Sequence, residues 1–157
     1  MVRQFNGAYD SPMADAGFSI DESSEFGARA ARHLREDRVV WFTTVSPSGA
    51  PSPNPVWFLW DGAATVLVWN LPTAARVAHL SSNPRVTLHF SGDGQGGDIV
   101  VLAAIATVDQ TRPAPDAAAG YVAKYGDAMV TVSGSQAAFA ATYSTPVVVT
   151  LSTLRGH

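Results

Sequence analysis

Between Asn70 and Arg76 the chain reads Asn-Leu-Pro-Thr-Ala-Ala-Arg, a set of groups able to hold an anion. Thr73 is predicted to cap a helix over roughly Ala74 to Ser82, which Pro84 cannot extend. The amides of Ala74 and Ala75 would open that helix, where backbone donors and the helix dipole favour a phosphate. Arg76 lies in the first turn and can fork onto the same phosphate. Asn70, just upstream, can hydrogen-bond the phosphate or a ring edge. Val56, Trp57 and Phe58 form a flat, dry run suited to a planar ring. A site of this kind holds and orients a bound group that carries the chemistry itself.

Other chemistries are not supported. His33, His79, His89 and His157 lack the i, i+4 pairing or carboxylate spacing of a metal site, so no metal is expected. There is no cysteine, no G-x-S-x-G elbow and no G-x-x-x-x-G-K-[ST] loop, and paired carboxylates for acid–base work are not legible. No catalytic residue is assigned. Gly92 to Gly97 formally matches G-x-G-x-x-G, but that motif must lead from a strand into a helix. Here Asp98-Ile-Val-Val-Leu follows, which reads as a strand, so the match is a hairpin loop.

The 157 residues suffice for one domain with a real core. Charged residues make up only 15%, which points to apolar surface covered by a second copy. A net charge of −3 argues against a nucleic-acid partner held by a broad basic surface. No apolar run approaches the ~18–20 residues of a membrane span, and the N-terminus lacks a secretory core, so a cytoplasmic protein is expected.

The elements that must position the site follow in order. Residues 1–20 form an aperiodic arm, with Phe5, Tyr9 and Phe18 available to dock on a neighbouring subunit, and residues 21–157 form the folded domain. A helix begins at Ser23-Ser24, with Phe26, Ala30, His33 and Leu34 on one face and His33 read as a packing histidine. Arg38 to Val45 is a strand. Pro51, Pro53 and Pro55 make the next segment an extended edge, with regular strand beginning near Val56. Asp61-Gly62 turns this strand back into Ala64 to Asn70. Arg85 to Phe90 and Asp98 to Asp109 are further strands. Asp116 is expected to cap a helix that Tyr125-Gly126 ends; a second helix spans Gln136 to Tyr143 and a last strand Thr145 to Leu151. Hairpin succession with few crossover helices favours a mainly β, antiparallel barrel of six or seven strands with peripheral helices.

The segments EFGARAARHLRED, WFTTVSPSGAPSPNPVWFLWDG, TAARVAHLSSNPRVTLHF and GGDIVV together resemble the split β-barrel flavin-binding superfamily that includes pyridoxamine 5′-phosphate oxidase. They are most similar to its actinobacterial branch of probable enzymes of the deazaflavin coenzyme F-420. The resemblance covers roughly Ser24 to His157. It implies a homodimer with cofactor sites at the subunit interface and a small-molecule substrate. By position it implies that Arg76, with Asn70 and Thr73, holds the cofactor phosphate. It further implies that Asn54, Pro55, Val56, Trp57 and Phe58 lie along the ring, with Asp98 a polar group near it. The expected activity is hydride transfer by coenzyme F-420. FMN is the alternative cofactor, and a non-catalytic cofactor- or tetrapyrrole-binding module the alternative role. Many relatives carry lysine where Arg76 stands, and Ala75 replaces a second cation of the oxidases. The tail STLRGH does not reproduce their basic, tryptophan-containing substrate segment, so vitamin B6 oxidation is not expected.

Overall fold

A computed structural model describes residues 17–157. Seven strands form one antiparallel sheet: β1 (Val40–Val45), β2 (Pro51–Val56), β3 (Leu59–Trp60), β4 (Thr65–Asn70), β5 (Arg85–His89), β6 (Val100–Val108) and β7 (Thr145–Gly156). Their order is β2-β1-β5-β6-β7-β4-β3. Four helices accompany them: α1 (Glu25–Glu36), α2 (Ala75–Ser82), α3 (Ala119–Ser133) and α4 (Gln136–Thr142). β2 and β3 lie at opposite edges of the sheet, yet only Trp57 and Phe58 separate them. Three residue steps reach at most about 11 Å, so the sheet must curl until its edges approach. The expected mainly β split barrel with peripheral helices is what forms.

The proline-rich segment differs from expectation. Regular strand runs through Pro51–Val56 and does not begin at Val56, pairing along its length with β1 from Val40↔Val56 to Val45↔Pro51. Side chains and amides alternate along a strand, so prolines at every second position put each missing donor on the same side. Ser52, Asn54 and Val56 keep the amides that can reach β1. The open edge is left without donors for another chain.

Asp61-Gly62 makes the expected hairpin: Asp61 Oδ1 accepts from the amides of Ala63 at 2.8 Å and Thr65 at 3.0 Å, and Gly62 takes φ +84. Ser24 caps α1 as read, accepting from the Gly27 amide at 3.0 Å. Phe18 and Ile20 pack against the barrel core of their own chain, whereas Phe5 and Tyr9 lie outside the described residues. Three boundaries are corrected. α3 runs through Gly126 to Ser133 because Gly126 is buried against α4, where a Cβ would stand 3.0 Å from Gln136 Nε2. Its N-cap is Ala118 with no side-chain bond, so Asp116 does not cap it. β7 extends to Gly156, since Thr153, Leu154 and Arg155 pair with Ala103, Leu102 and Val101 of β6.

The barrel core includes Phe42, Phe58, Val68, Leu88, Leu102 and Val149. A second cluster, built on Trp69, Tyr121, Tyr125, Met129 and Phe139, joins α3 and α4 to the sheet.

Candidate functional site

Strand β4 ends at Asn70, whose side chain is fully buried. Its Nδ2 donates to the Val68 and Thr145 carbonyls at 3.0 and 3.3 Å, which ties the amide to the end of β4 and the start of β7. The same side chain presents Oδ1 to Arg76 Nε at 2.5 Å. A buried amide locked by two backbone acceptors thus fixes the direction of one guanidinium. Burial lowers the Arg76 pKa, and the neighbouring Tyr143 favours the charged form. Arginine starts so far above neutrality that it stays a cation. Neither Nη nitrogen has a hydrogen-bond partner among the described residues, and neither is sealed from solvent. The outer fork of Arg76 is therefore open to a ligand.

Helix α2 begins one residue later than expected. Ala74 is the N-cap, no side chain caps it, and Thr73 is exposed and does not serve as the cap. The Leu71 carbonyl accepts from Ala74 N at 3.0 Å, and this turn sets the helix start in place of a hydroxyl. The first-turn amides of Ala75 and Arg76 are left without a side-chain acceptor, beside the Arg76 fork. Thr73→Ala is accordingly expected to change unfolding free energy by less than about 0.5 kcal/mol in a urea titration. A loss near 1 kcal/mol, typical of a removed cap, would contradict this placement.

The other sequence-derived site residues are dispersed. Asn54 and Pro55 lie on edge strand β2, opposite Phe42 and Trp41. Asn54 is half-buried, with Nδ2 donating to the Ser52 carbonyl at 3.3 Å. The open wall expected of Val56, Trp57 and Phe58 is not present. Val56 and Phe58 face the barrel core, and Trp57 stacks on Tyr125 at 4.8 Å and on Phe139 at 5.5 Å. Leaving β2, the chain turns inward, and the Tyr125 hydroxyl accepts from Phe58 N at 3.1 Å while donating to the Arg38 carbonyl at 2.8 Å. Burial pushes this phenol up to about 12, so it remains a donor.

Asp98 does not begin a strand; it sits in the loop before β6 with φ +54, among the described residues the only non-glycine with positive φ. Its carboxylate meets His33 Nε2 at 3.0 Å and Arg29 Nε at 3.0 Å. His33 Nδ1 meets Asp37 at 2.7 Å, and the ring stacks on Phe90 at 4.9 Å. His33 is therefore more than a packing residue: it fastens α1 to the glycine-rich loop, and Asp98 is committed to that fastening.

Two neighbours of Arg76 escaped the sequence reading. Tyr143 sits close enough to act on its charge. His79, three residues on and so on the same helical face, bonds through Nδ1 to the buried Thr44 hydroxyl at 2.9 Å. The i, i+3 spacing of Arg76 and His79 was the available signal.

The family model described as pyridoxamine 5′-phosphate oxidase matches residues 26–150. No protein among those of curated function matches the sequence. Among solved structures the chain is similar to one described as F420 reductase, with TM-score 0.56 and 17% identity over 78% of this chain and 92% of that one. It is also similar to the heme storage protein HutZ from Vibrio cholerae, with TM-score 0.58 and 14% identity over 84% and 93%. General Stress Protein 26 from Bacillus anthracis gives TM-score 0.59 and 12% identity over 81% and 89%. At these identities the structural likenesses speak for the fold.

Proposed function

The chain belongs to the pyridoxamine 5′-phosphate oxidase family, and from that premise we propose that it is an oxidoreductase holding coenzyme F-420 by its phosphate at the start of α2. One observation carries this reading: Arg76, aimed by the buried Asn70, opens its fork beside the uncapped first turn of an eight-residue helix. The donor set suits the group. Amides and a guanidinium converge where no carboxylate of the described residues pairs with Arg76, and a phosphate supplies the missing acceptor. Thr73, Ala74 and Ala75 stand at the same turn, and Asn54 and Pro55 offer a partly exposed strand edge for the ring. Bound, the deazaflavin supplies hydride transfer to or from a small organic substrate. The chain's part is to hold, orient and shield. The neighbour described as F420 reductase favours the deazaflavin. FMN, which the family's flavin chemistry suggests, is the second reading.

A homodimer belongs to the proposal. The outer sheet face carries Trp41, Thr43, Thr87, His89, Val101 and Ile105, in register across β1, β5 and β6 together with Arg85, while α2 meets β1 on the other face, where His79 bonds Thr44. Arg85 apart, its side chains are uncharged and half-buried, which suits a second copy.

Titration with F-420 and with FMN, followed by tryptophan quenching, tests the cofactor. F-420 is expected to bind more tightly than about 100 μM, a free energy of roughly −5.5 kcal/mol. Absence of binding by both would overturn the reading, and tighter binding of FMN would replace it with the second. Sedimentation should show a dimer; a clean monomer contradicts a shared site.

A further inference from the structure

Lys124 is the only lysine among the 157 residues. It lies on α3, away from the α2 site, and its amine has no carboxylate within ion-pair distance among the described residues. Nζ stands 3.8 Å from the centre of the Phe58 ring and 5.4 Å from that of Tyr125. Its one acceptor among the described residues is the Phe58 carbonyl at 3.5 Å, at the outer limit for such a bond. Aromatic faces have thus replaced much of the water that stabilises an ammonium.

A second cation adjoins it. Arg38 Nη1 donates to the Lys124 carbonyl at 2.8 Å, and the guanidinium lies 5.0 Å over Tyr125. Of the nearby carboxylates, Asp37 is engaged by His33 at 2.7 Å and Asp127 is exposed to solvent. Arg38, Lys124, Asp127 and Gln136 line one cavity of about 450 Å³, room enough for a small molecule. Desolvation and an adjacent cation are the two ways a lysine becomes a nucleophile at neutral pH. Burial pushes the amine down to about 8; Arg38 acts in the same direction and Asp37 against it.

We propose that Lys124 is a carbonyl-capturing amine that takes small aldehydes bearing an anionic group, with the Arg38 guanidinium holding the anion. The ammonium first loses a proton to solvent. The neutral amine adds to the aldehyde carbon, and loss of one water leaves an imine, with no oxidant or reductant consumed. The site is independent of the cofactor reading, since it shares no residue with the start of α2.

The test uses the whole chain, glyoxylate as the anionic aldehyde and propanal as the neutral one. Cyanoborohydride traps any imine, and peptide mapping separates Lys124 from the only other amine class, the N-terminus. Lys124 is expected to label with glyoxylate at least about tenfold faster than Nα-acetyl-lysine amide at pH 7.5, as a depressed amine pKa requires. The labelling rate should rise to a plateau with a midpoint near 8. Arg38→Met should slow glyoxylate labelling several times more than propanal labelling, which slows only as far as losing the adjacent cation raises the amine. Labelling confined to the N-terminus, or a Lys124 rate equal to that of free lysine, would overturn the proposal and leave Lys124 as a cap on Phe58. Equal slowing of both aldehydes by Arg38→Met would remove the anion-holding role. The decisive rate is read on the unmodified sequence, so it does not depend on any variant folding.

Discussion

Phe58→Ala is expected to lower folding stability by about 3–5 kcal/mol, read as a shift of the urea unfolding midpoint at unchanged slope. The ring is wholly buried, meets Phe90 edge-on at 5.9 Å and is covered by Lys124 Nζ at 3.8 Å. Removing it deletes apolar contacts and leaves a void that this junction between β2 and β3 cannot easily close. The backbone bonds of Phe58 to Tyr125 would remain, so the loss reports the ring itself. The result discriminates between two roles for the residue. A phenyl ring lining an open cofactor wall would cost binding and little stability; a core ring costs stability first. A loss below about 1 kcal/mol, with weakened cofactor binding, would return Phe58 to the wall.

Arg76→Ala is expected to weaken the phosphate-bearing cofactor about tenfold or more, since a charge-assisted hydrogen bond contributes roughly 1.5–3 kcal/mol. Isothermal titration of the variant against the unmodified protein measures it. Asn70→Ala should weaken binding as well, because Asn70 Oδ1 aims the Arg76 Nε and the Asn70 amide is itself tied to Val68 and Thr145. The lysine substitution is expected to recover only part of the affinity: an ammonium keeps the charge and loses the fork. Unchanged affinity in a folded Arg76→Ala protein would remove this residue from the site and, with it, the main support for a phosphate at α2.

The placement of the candidate groups follows from what surrounds each one. Asn70, Arg76 and the first turn of α2 come together because only a short turn separates the end of β4 from the helix. Val56 and Trp57 part company because consecutive side chains point to opposite sides of an extended chain. One faces the barrel core and the other stacks on α3 and α4. Asp98 is drawn off by α1, where His33 Nε2 meets both carboxylate oxygens and Arg29 Nε pairs with one of them.

Features resting on near neighbours in the chain were readable from residue order. The Ser24 cap, the Asp61-Gly62 turn, the alternation of β5 and the proline-marked edge each depend on contacts a few residues apart, and all four stand in the structure. The family resemblance, carried by combined motifs, likewise pointed to the right barrel. Contacts between distant positions were not readable. Tyr125 reaches Phe58 across 67 positions and His33 reaches Asp98 across 65. No local period records which polar groups such contacts will satisfy. Those pairings turned an expected ring wall into core, carried α3 through a glycine that local propensity reads as a stop, and left Lys124 on aromatic faces with no carboxylate partner among the described residues. Local geometry wrote the elements; burial, which depends on the whole packed chain, decided which of their side chains stayed open to a ligand.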